Sequence, residues 1–184
     1  MKALLINGSP RPNGCTFTAL TELANTLEAE GIETEIVHVG NKDIRGCIAC
    51  RRCHSTGSNK CVFDDIVNEI APKLAEADAF VIGAPVYFGS PAGGAISFMD
   101  RLFFSTLNID KTMKVGASVV TCRRGGNTAS YDVLNKYFTI SGMPVASSQY
   151  WNSIHGAAPG EAALPRRSRK MPRACRPCAP LAAT

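Results

Sequence analysis

Four of the eight cysteines in the chain fall within one fifteen-residue stretch, CIACRRCHSTGSNKC, as Cys47, Cys50, Cys53 and Cys61. The spacing C-x2-C-x2-C places three thiols on one tight loop, as bacterial ferredoxin sequences do for a [4Fe–4S] cluster. The Gly, Ser and Asn residues of the following spacer permit a turn that brings back the fourth thiol. Four thiolates also suit zinc, although zinc sites usually pair two separate C-x2-C knuckles. An iron–sulfur cluster, zinc and free thiols all stay open as interpretations.

A disulfide framework is the least favoured interpretation of these cysteines. The N-terminus, MKALLINGSPRP, has an apolar run of only four residues, too short for the core of an export signal. No apolar run approaches the roughly 20 residues that span a bilayer. We therefore expect a cytoplasmic chain without a membrane segment, in a compartment where thiols stay reduced.

The net charge of +5 comes from the end of the chain. Six of its 20 basic residues lie within the last twenty positions, and the other 14 are balanced by 15 acidic residues. A chain body without a basic surplus lacks the electrostatic footprint of a nucleic-acid-binding surface. The sequence therefore predicts no nucleic-acid partner.

The elements that position the cysteines alternate between apolar runs and helical patterns, which is typical of a parallel sheet covered on both faces. The patterns predict strands at 2–7, 33–39, 79–84, 114–120 and about 145–150, and helices at 16–30, from 64, at 92–105 and at 128–140. They predict an α/β fold in three layers, α/β/α, with a flavodoxin-like or Rossmann-like doubly wound sheet of five parallel strands. The predicted domain covers residues 1–156.

Ligands of such sheets bind outside the carboxyl ends of the strands. Three loops lie there, at 8–16, 85–90 and 121–127. The first joins a strand to a helix, where backbone N–H groups and the helix dipole favour an anion. Ser9, Arg11 and Thr16 add hydroxyl and guanidinium donors, which predicts a phosphate site.

The three loops carry motifs that resemble a known family. GSPRPNGCT, then APVYFGSP with FMDRLF behind it, then the Gly-Gly-Asn of TCRRGGN are similar to the NADPH-dependent FMN reductase branch of the flavodoxin-like superfamily. The resemblance covers roughly residues 1–156. It implies that the phosphate of FMN is bound by the first loop, at Ser9, Arg11, Asn13, Cys15, Thr16 and Phe17. The ribityl chain and the flavin ring would lie along Pro85, Val86, Tyr87, Phe88, Gly89, Thr121, Arg123, Gly125 and Gly126.

The cysteine motif follows the second predicted strand, and by spacing and position it resembles that of iron–sulfur flavoproteins, which hold a [4Fe–4S] cluster beside FMN. Two points keep the alternatives open: no Pro follows Cys61, and FMN reductase relatives carry similar cysteine groups in which no cluster has been demonstrated. Cys15 departs from the family, which more often has a hydrogen-bonding residue there. Asp100 and Arg101 are interpreted as a structural pair that fixes the helix under the second loop.

The resemblance implies an FMN-dependent oxidoreductase that takes electrons from NAD(P)H and passes them to a flavin, a quinone or another small acceptor. The flavin N5 would carry the chemistry, so no side chain is predicted to be catalytic. One alternative is an iron–sulfur flavoprotein that moves electrons between carriers such as ferredoxin and an acceptor, and another is a carrier or regulatory module without turnover. A homodimer or homotetramer is expected.

The last residues, 157–184, do not continue the pattern. Prolines at 165, 172, 177 and 180 exclude the helix that should close the sheet. Two interpretations are an irregular basic tail and a shift of reading frame near Ala163, which sequencing of the source DNA would distinguish. The C-x-x-C at Cys175 and Cys178 is interpreted as accidental.

Overall fold

The computed structural model describes residues 1–156, so the predictions about the tail lie outside the described residues. The described part contains six strands: β1 (Lys2–Asn7), β2 (Glu33–His38), β3 (Ala79–Tyr87), β4 (Ser90–Pro91), β5 (Val115–Cys122) and β6 (Ser153–His155). It contains five helices: α1 (Cys15–Ala29), α2 (Arg52–Thr56), α3 (Ile66–Glu76), α4 (Gly93–Ser105) and α5 (Asn127–Ile140). Five of the strands form one parallel sheet in the order β2-β1-β3-β5-β6, and β4 pairs antiparallel with the end of β3. The predicted five-stranded parallel sheet is confirmed.

The sheet is buried on both faces because successive side chains of a strand point to opposite sides. Leu4 and Ile6 of β1 belong to an apolar cluster that includes side chains of α3, α4 and α5. Leu5 belongs to a second cluster, which includes Leu20 and Leu23 of α1. The three-layer α/β/α architecture follows from these two clusters. No helix among residues 1–156 has the length and apolar character needed to cross a membrane.

The last predicted strand was wrong in position. Of the range 145–150, only Val145 makes a bridge to β5, opposite Gly116. The chain then turns, because the hydroxyl groups of Ser147 and Ser148 both donate to the carbonyl of Tyr150. Hydroxyl groups that bond the local backbone compete with strand pairing. The fifth parallel strand forms later, at Ser153–His155.

The third strand is longer than predicted. It continues through Pro85 to Tyr87 instead of ending at Ala84, and Pro85 lies opposite Thr121 in the register with β5. Val86 and Tyr87 then pair with β4, which folds the loop back against the strand. The second predicted loop is therefore a tight hairpin.

Asp100 and Arg101 do not pair with each other, although each of them fixes α4 as expected. Adjacent residues on a helix point in different directions. Asp100 instead accepts a hydrogen bond from the hydroxyl of Tyr137 on α5, and Arg101 binds Asp65 at the start of α3. Arg101 thus fixes α4 by linking it to the start of α3 and not by pairing with Asp100.

Candidate functional site

Three loops meet in one open cleft at the carboxyl ends of β1, β3 and β5. Its volume is about 250 Å³, just below the roughly 300–1,000 Å³ range of small-molecule sites. It lies beside β1 and β3, where the strand order reverses, which is the general ligand position in doubly wound sheets. Its lining residues are Ser9, Arg11, Gly14, Cys15, Thr16, Pro85, Val86, Tyr87, Thr121, Cys122, Arg123 and Gly156.

The first loop is fixed by its own hydrogen bonds. The side chain of Asn7 accepts from the N–H of Ser9 at 3.1 Å and donates to the carbonyl of Pro12 at 3.3 Å. The hydroxyl of Ser9 accepts from the N–H of Arg11 at 3.2 Å. His38, at the end of β2, donates from Nε2 to the carbonyl of Ser9 at 2.7 Å. The loop is thus held in one shape by groups of the protein itself.

The start of α1 suits a phosphate. Its N-cap is Gly14, which offers no side chain to bind the first N–H groups of the helix. Those N–H groups and the positive end of the helix dipole face the cleft region, where an anion is favoured. The side chain of Arg11 is exposed at the same place. The hydroxyl groups of Thr16 and Thr121 bond to each other at 2.8 Å and tie the first loop to the third.

The second and third loops form the remaining wall. Tyr87 is half exposed, and Phe88 is fully exposed on a backbone with φ of 51°. Gly126 has φ of 84°, and a Cβ there would lie 2.6 Å from the Cα of Gly89. The close approach of two glycines brings the loops together. An aromatic side chain at the mouth and backbone groups beside it suit a flat, partly apolar ring.

Nine of the fifteen predicted cofactor residues line the cleft: Ser9, Arg11, Cys15, Thr16, Pro85, Val86, Tyr87, Thr121 and Arg123. Asn13, Phe17, Phe88, Gly89, Gly125 and Gly126 belong to the same loops or to α1 but do not line it. The structure adds three residues that the sequence reasoning missed: Gly14, Cys122 and Gly156. Gly14 and Cys122 adjoin predicted residues, and burial raises the pKa of the Cys122 thiol. Gly156 was missed because the last strand was placed too early.

A second, much smaller cavity, of about 10 Å³, is lined by all four clustered cysteines. Cys53 lies on the short helix α2 and is buried, Cys61 is partly buried, and Cys47 and Cys50 are exposed. The loop bends sharply because Ala49 and Arg51 both adopt positive φ, at 53° and 57°. The structure thus places the four thiols of the motif around one space.

Cys61 is held more firmly than its three partners. Asn68 of α3 accepts from its N–H at 2.8 Å and donates to its carbonyl at 3.1 Å. Arg101 of α4 donates from Nε to its sulfur at 3.3 Å. Cys47 has one local bond of this kind, from the N–H of Ala49 at 3.4 Å. Such N–H···S bonds commonly surround thiolates that hold iron–sulfur clusters.

The donor set fits a cluster or zinc in its chemistry, and all four thiols line one space. Within residues 1–156, however, no group of three His, Cys, Asp or Glu side chains is arranged to hold a metal ion, so binding would have to draw the thiols closer together. Burial raises the pKa of the Cys53 thiol, and the neighbouring Cys61 and Cys50 add to that rise. A bound cation would relieve this cost because it favours the thiolate form.

Comparison with known proteins decides the family. A family model described as NADPH-dependent FMN reductase matches residues 1–158. The chain belongs to this family of FMN-binding oxidoreductases. An iron–sulfur flavoprotein of Methanocaldococcus jannaschii is 35% identical over 168 residues, which cover 88% of this chain and 86% of that protein. An iron–sulfur flavoprotein of Methanosarcina thermophila is 28% identical over 180 residues and covers 93% of each chain.

Among solved structures, the fold of this FMN reductase family member is similar to RosB with a bound riboflavin-phosphate intermediate. That structure has a TM-score of 0.71 and 19% sequence identity, and the match covers 100% of this chain and 76% of the other. At this identity the likeness shows the fold alone. The predicted family and the flavodoxin-like fold are both confirmed, while the individual cofactor and cysteine residues stay predictions.

Proposed function

We propose that this member of the FMN reductase family binds FMN in the cleft and a [4Fe–4S] cluster at Cys47, Cys50, Cys53 and Cys61. In this proposal it transfers electrons between a redox carrier protein and a small acceptor. The observation that carries the proposal is the cavity lined by all four thiols of the motif. The names of the two relatives, both iron–sulfur flavoproteins, support it.

The two proposed groups have complementary chemistry: FMN exchanges electrons singly or as a hydride pair, whereas a [4Fe–4S] centre moves one electron at a time. The protein's own part is binding and orientation. Arg11 and the N–H groups at the start of α1 would hold the phosphate, and Tyr87 would cover an edge of the ring. The exposed Arg51 and Arg52, between the proposed ligands, would favour an acidic carrier protein.

The cluster is tested by preparing the protein without oxygen and measuring iron, acid-labile sulfide and the visible spectrum. We expect about four irons and four sulfides per chain, with a broad absorption beneath the two flavin bands. Cys50→Ser should lose the iron and keep the flavin bands. Cys122→Ser, the matched control outside the cysteine cavity, should keep the iron. Iron and sulfide absent after anaerobic reconstitution would exclude the cluster.

A second candidate is direct reduction by NAD(P)H, the donor assigned in the sequence analysis. The description of the matching family, NADPH-dependent FMN reductase, favours it. The assay is oxidation of NADH or NADPH with added FMN, followed by free flavin or a quinone as the acceptor. Turnover with either nucleotide would establish this donor. The contrasting result is a protein that oxidises NADH and NADPH no faster than the blank and still accepts electrons from a reduced carrier protein. That result would identify the carrier protein as the donor.

The proposal includes a homodimer or homotetramer in solution. Phe88 supports it, because a fully exposed aromatic side chain, one residue after Tyr87 of the cleft wall, gains by burial against a second surface. Light scattering after size-exclusion chromatography measures the assembly. A mass of one chain, 19.6 kDa, would contradict this part of the proposal.

A further inference from the structure

Arg101 lies fully inside the protein, with 1% of its surface exposed, and it is the largest of the fully buried side chains in the described part of the chain. A buried charge is costly unless it is paired and hydrogen-bonded. Its guanidinium is held on three sides: by the carboxylate of Asp65, by the carbonyl of Phe63 and by the sulfur of Cys61. The sequence reasoning assigned Arg101 only to helix support, which does not account for a bond to sulfur.

The contacts fix the direction of the guanidinium. Its two terminal nitrogens donate to the two oxygens of Asp65 at 2.5 and 2.9 Å, a bidentate pair. One of them also donates to the carbonyl of Phe63 at 3.1 Å. The remaining Nε–H then points at the sulfur of Cys61 at 3.3 Å. Because four of its five N–H donors have partners, the side chain has little freedom to turn away.

Two arginine side chains, those of Arg45 and Arg101, contact the ring of Phe63 and can be compared with each other. The guanidinium carbon of Arg101 lies 5.1 Å from the centre of that ring, and that of Arg45 lies 4.6 Å from it. Arg45 is exposed and Arg101 is buried. Two cations of the same kind therefore contact one aromatic ring, and of the two it is Arg101 that bonds to a cysteine sulfur.

We propose that Arg101 is a positioning residue that directs an N–H···S bond at Cys61 and thereby raises the reduction potential of the cluster proposed there. The inference rests on the proposed function. Reduction adds negative charge, and a hydrogen-bond donor or a nearby cation stabilises the more negative form. Burial strengthens the effect because the surroundings screen it less than water does. Asp65 moderates it by offsetting part of the positive charge.

The test is the one-electron reduction potential of the cluster, measured by an anaerobic titration followed by electron paramagnetic resonance. The flavin in the same sample is the internal reference. In Arg101→Gln we expect reduction to become at least tenfold less favourable, a shift of about 59 mV to lower potential. The flavin potential should stay in place. Arg101→Lys keeps the charge but lacks the planar fork, so it should recover only part of the shift.

Arg45→Gln is the matched control, because it removes an equal charge from the same aromatic ring without removing a bond to sulfur. It should change the equilibrium constant for reduction of the cluster by less than about threefold relative to the unaltered protein. Equal shifts in Arg45→Gln and Arg101→Gln would overturn the inference in favour of a general charge effect. An unchanged potential in Arg101→Gln would overturn it outright.

Arg101→Gln leaves a partly buried carboxylate without its partner, so a second variant covers the case in which it does not fold. Asp65→Asn keeps Arg101 and releases the positive charge that the carboxylate offsets, so the cluster potential should rise. The rise should exceed that of Asp64→Asn, which alters the neighbouring exposed carboxylate. Equal rises would overturn the inference. If the unaltered protein contains no iron and sulfide, the proposed function itself is overturned. If it contains a cluster whose potential is the same in Arg101→Gln and in Asp65→Asn as in the unaltered protein, only the inference is overturned.

Discussion

His38 is the residue through which the second strand supports the proposed phosphate site. Its Nε2–H holds the carbonyl of Ser9, and the loop from Ser9 to Arg11 folds around that point. The ring of His38 does not line the cleft, so its effect on a ligand passes through the position of the loop.

We predict that His38→Ala weakens FMN binding by roughly three- to tenfold, the value of one net hydrogen bond of about 0.5–1.5 kcal/mol. Binding of riboflavin, which lacks the phosphate, should change less than twofold. Fluorescence titration of both flavins measures the difference. His54→Ala, which removes a ring that packs at a tilt against Phe104 near the cysteine cavity, is the control and should bind both flavins normally. Equal losses for FMN and riboflavin would contradict a role in placing the phosphate loop.

The thiols of the metal-free protein should differ sharply in reactivity. The thiolate is the reactive form, and burial raises the pKa of Cys53 and of Cys122, so less thiolate is present there at a given pH. Cys47 and Cys50 are exposed. At pH 8 we expect iodoacetamide to label Cys47 and Cys50 well before Cys53 and Cys122, as read by mass spectrometry of peptides. In urea the four cysteines should be labelled at similar rates. Labelling of Cys122 in the folded protein as fast as that of Cys47 would contradict the prediction.

At the scale of elements, the loops around the cleft depend on a close backbone approach at Gly126. A side chain there meets two obstacles, a left-handed backbone with φ of 84° and the Cα of Gly89 at 2.6 Å. Gly125, the preceding residue, has no atom within 4 Å of the position a Cβ would take.

Gly126→Ala should therefore lower the free energy of unfolding by at least about 1–2 kcal/mol, the cost of the left-handed backbone alone. It should also weaken FMN binding, because the third loop moves away from the second. Gly125→Ala should change neither quantity by more than about 0.5 kcal/mol. Urea unfolding and flavin titration measure both variants. A Gly126→Ala protein as stable as Gly125→Ala would show that the two loops do not depend on this contact.

The elements also show where sequence reasoning succeeds. Long helices with periodic apolar residues were predicted within about two residues at both ends, as for α4 and α5, because burial of one face determines them. The final strand failed because the competition between strand pairing and the hydroxyl bonds of Ser147 and Ser148 depends on geometry. Ion pairs between residues far apart in the sequence cannot be predicted for the same reason. No local pattern indicates that Arg101 binds Asp65, which lies 36 positions earlier.

The sequence predicted the part of the candidate site that lies at strand ends better than the part that lies at loop tips. Residues next to a strand end, such as Ser9, Thr16 and Thr121, line the cleft as expected because the sheet fixes where each strand ends. Residues at loop tips do not follow so simply. Phe88 follows Tyr87 directly, yet its positive φ turns it to solvent, and this backbone choice leaves no signature in the amino-acid types.

At the scale of the whole molecule, the core is independent of the proposed cluster. The two apolar clusters lie on the two faces of the sheet, and neither includes Cys47, Cys50, Cys53 or Cys61. A domain of this size buries enough apolar surface to fold without a metal.

We predict that removal of iron by a chelator under reducing conditions leaves the far-ultraviolet circular dichroism unchanged and unfolding in urea a single transition. Limited proteolysis should then cut first within 45–62, where most residues are exposed. Cys50→Ser, which never loads iron in the proposal, should match the chelated protein in both measurements. Collapse of the secondary structure on chelation would mean that the metal supports the fold itself.

The segment that carries the cysteines leaves the sheet at Gly40, and a Cβ at this position would lie 2.2 Å from the carbonyl oxygen of Ser9. The backbone of residue 40 thus packs directly against the backbone of the phosphate loop. A designer who grafted a different redox loop onto this scaffold would be free to replace the residues beyond this junction, but the glycine itself would have to stay. Any bulkier residue there would push the loop toward the space meant for the flavin.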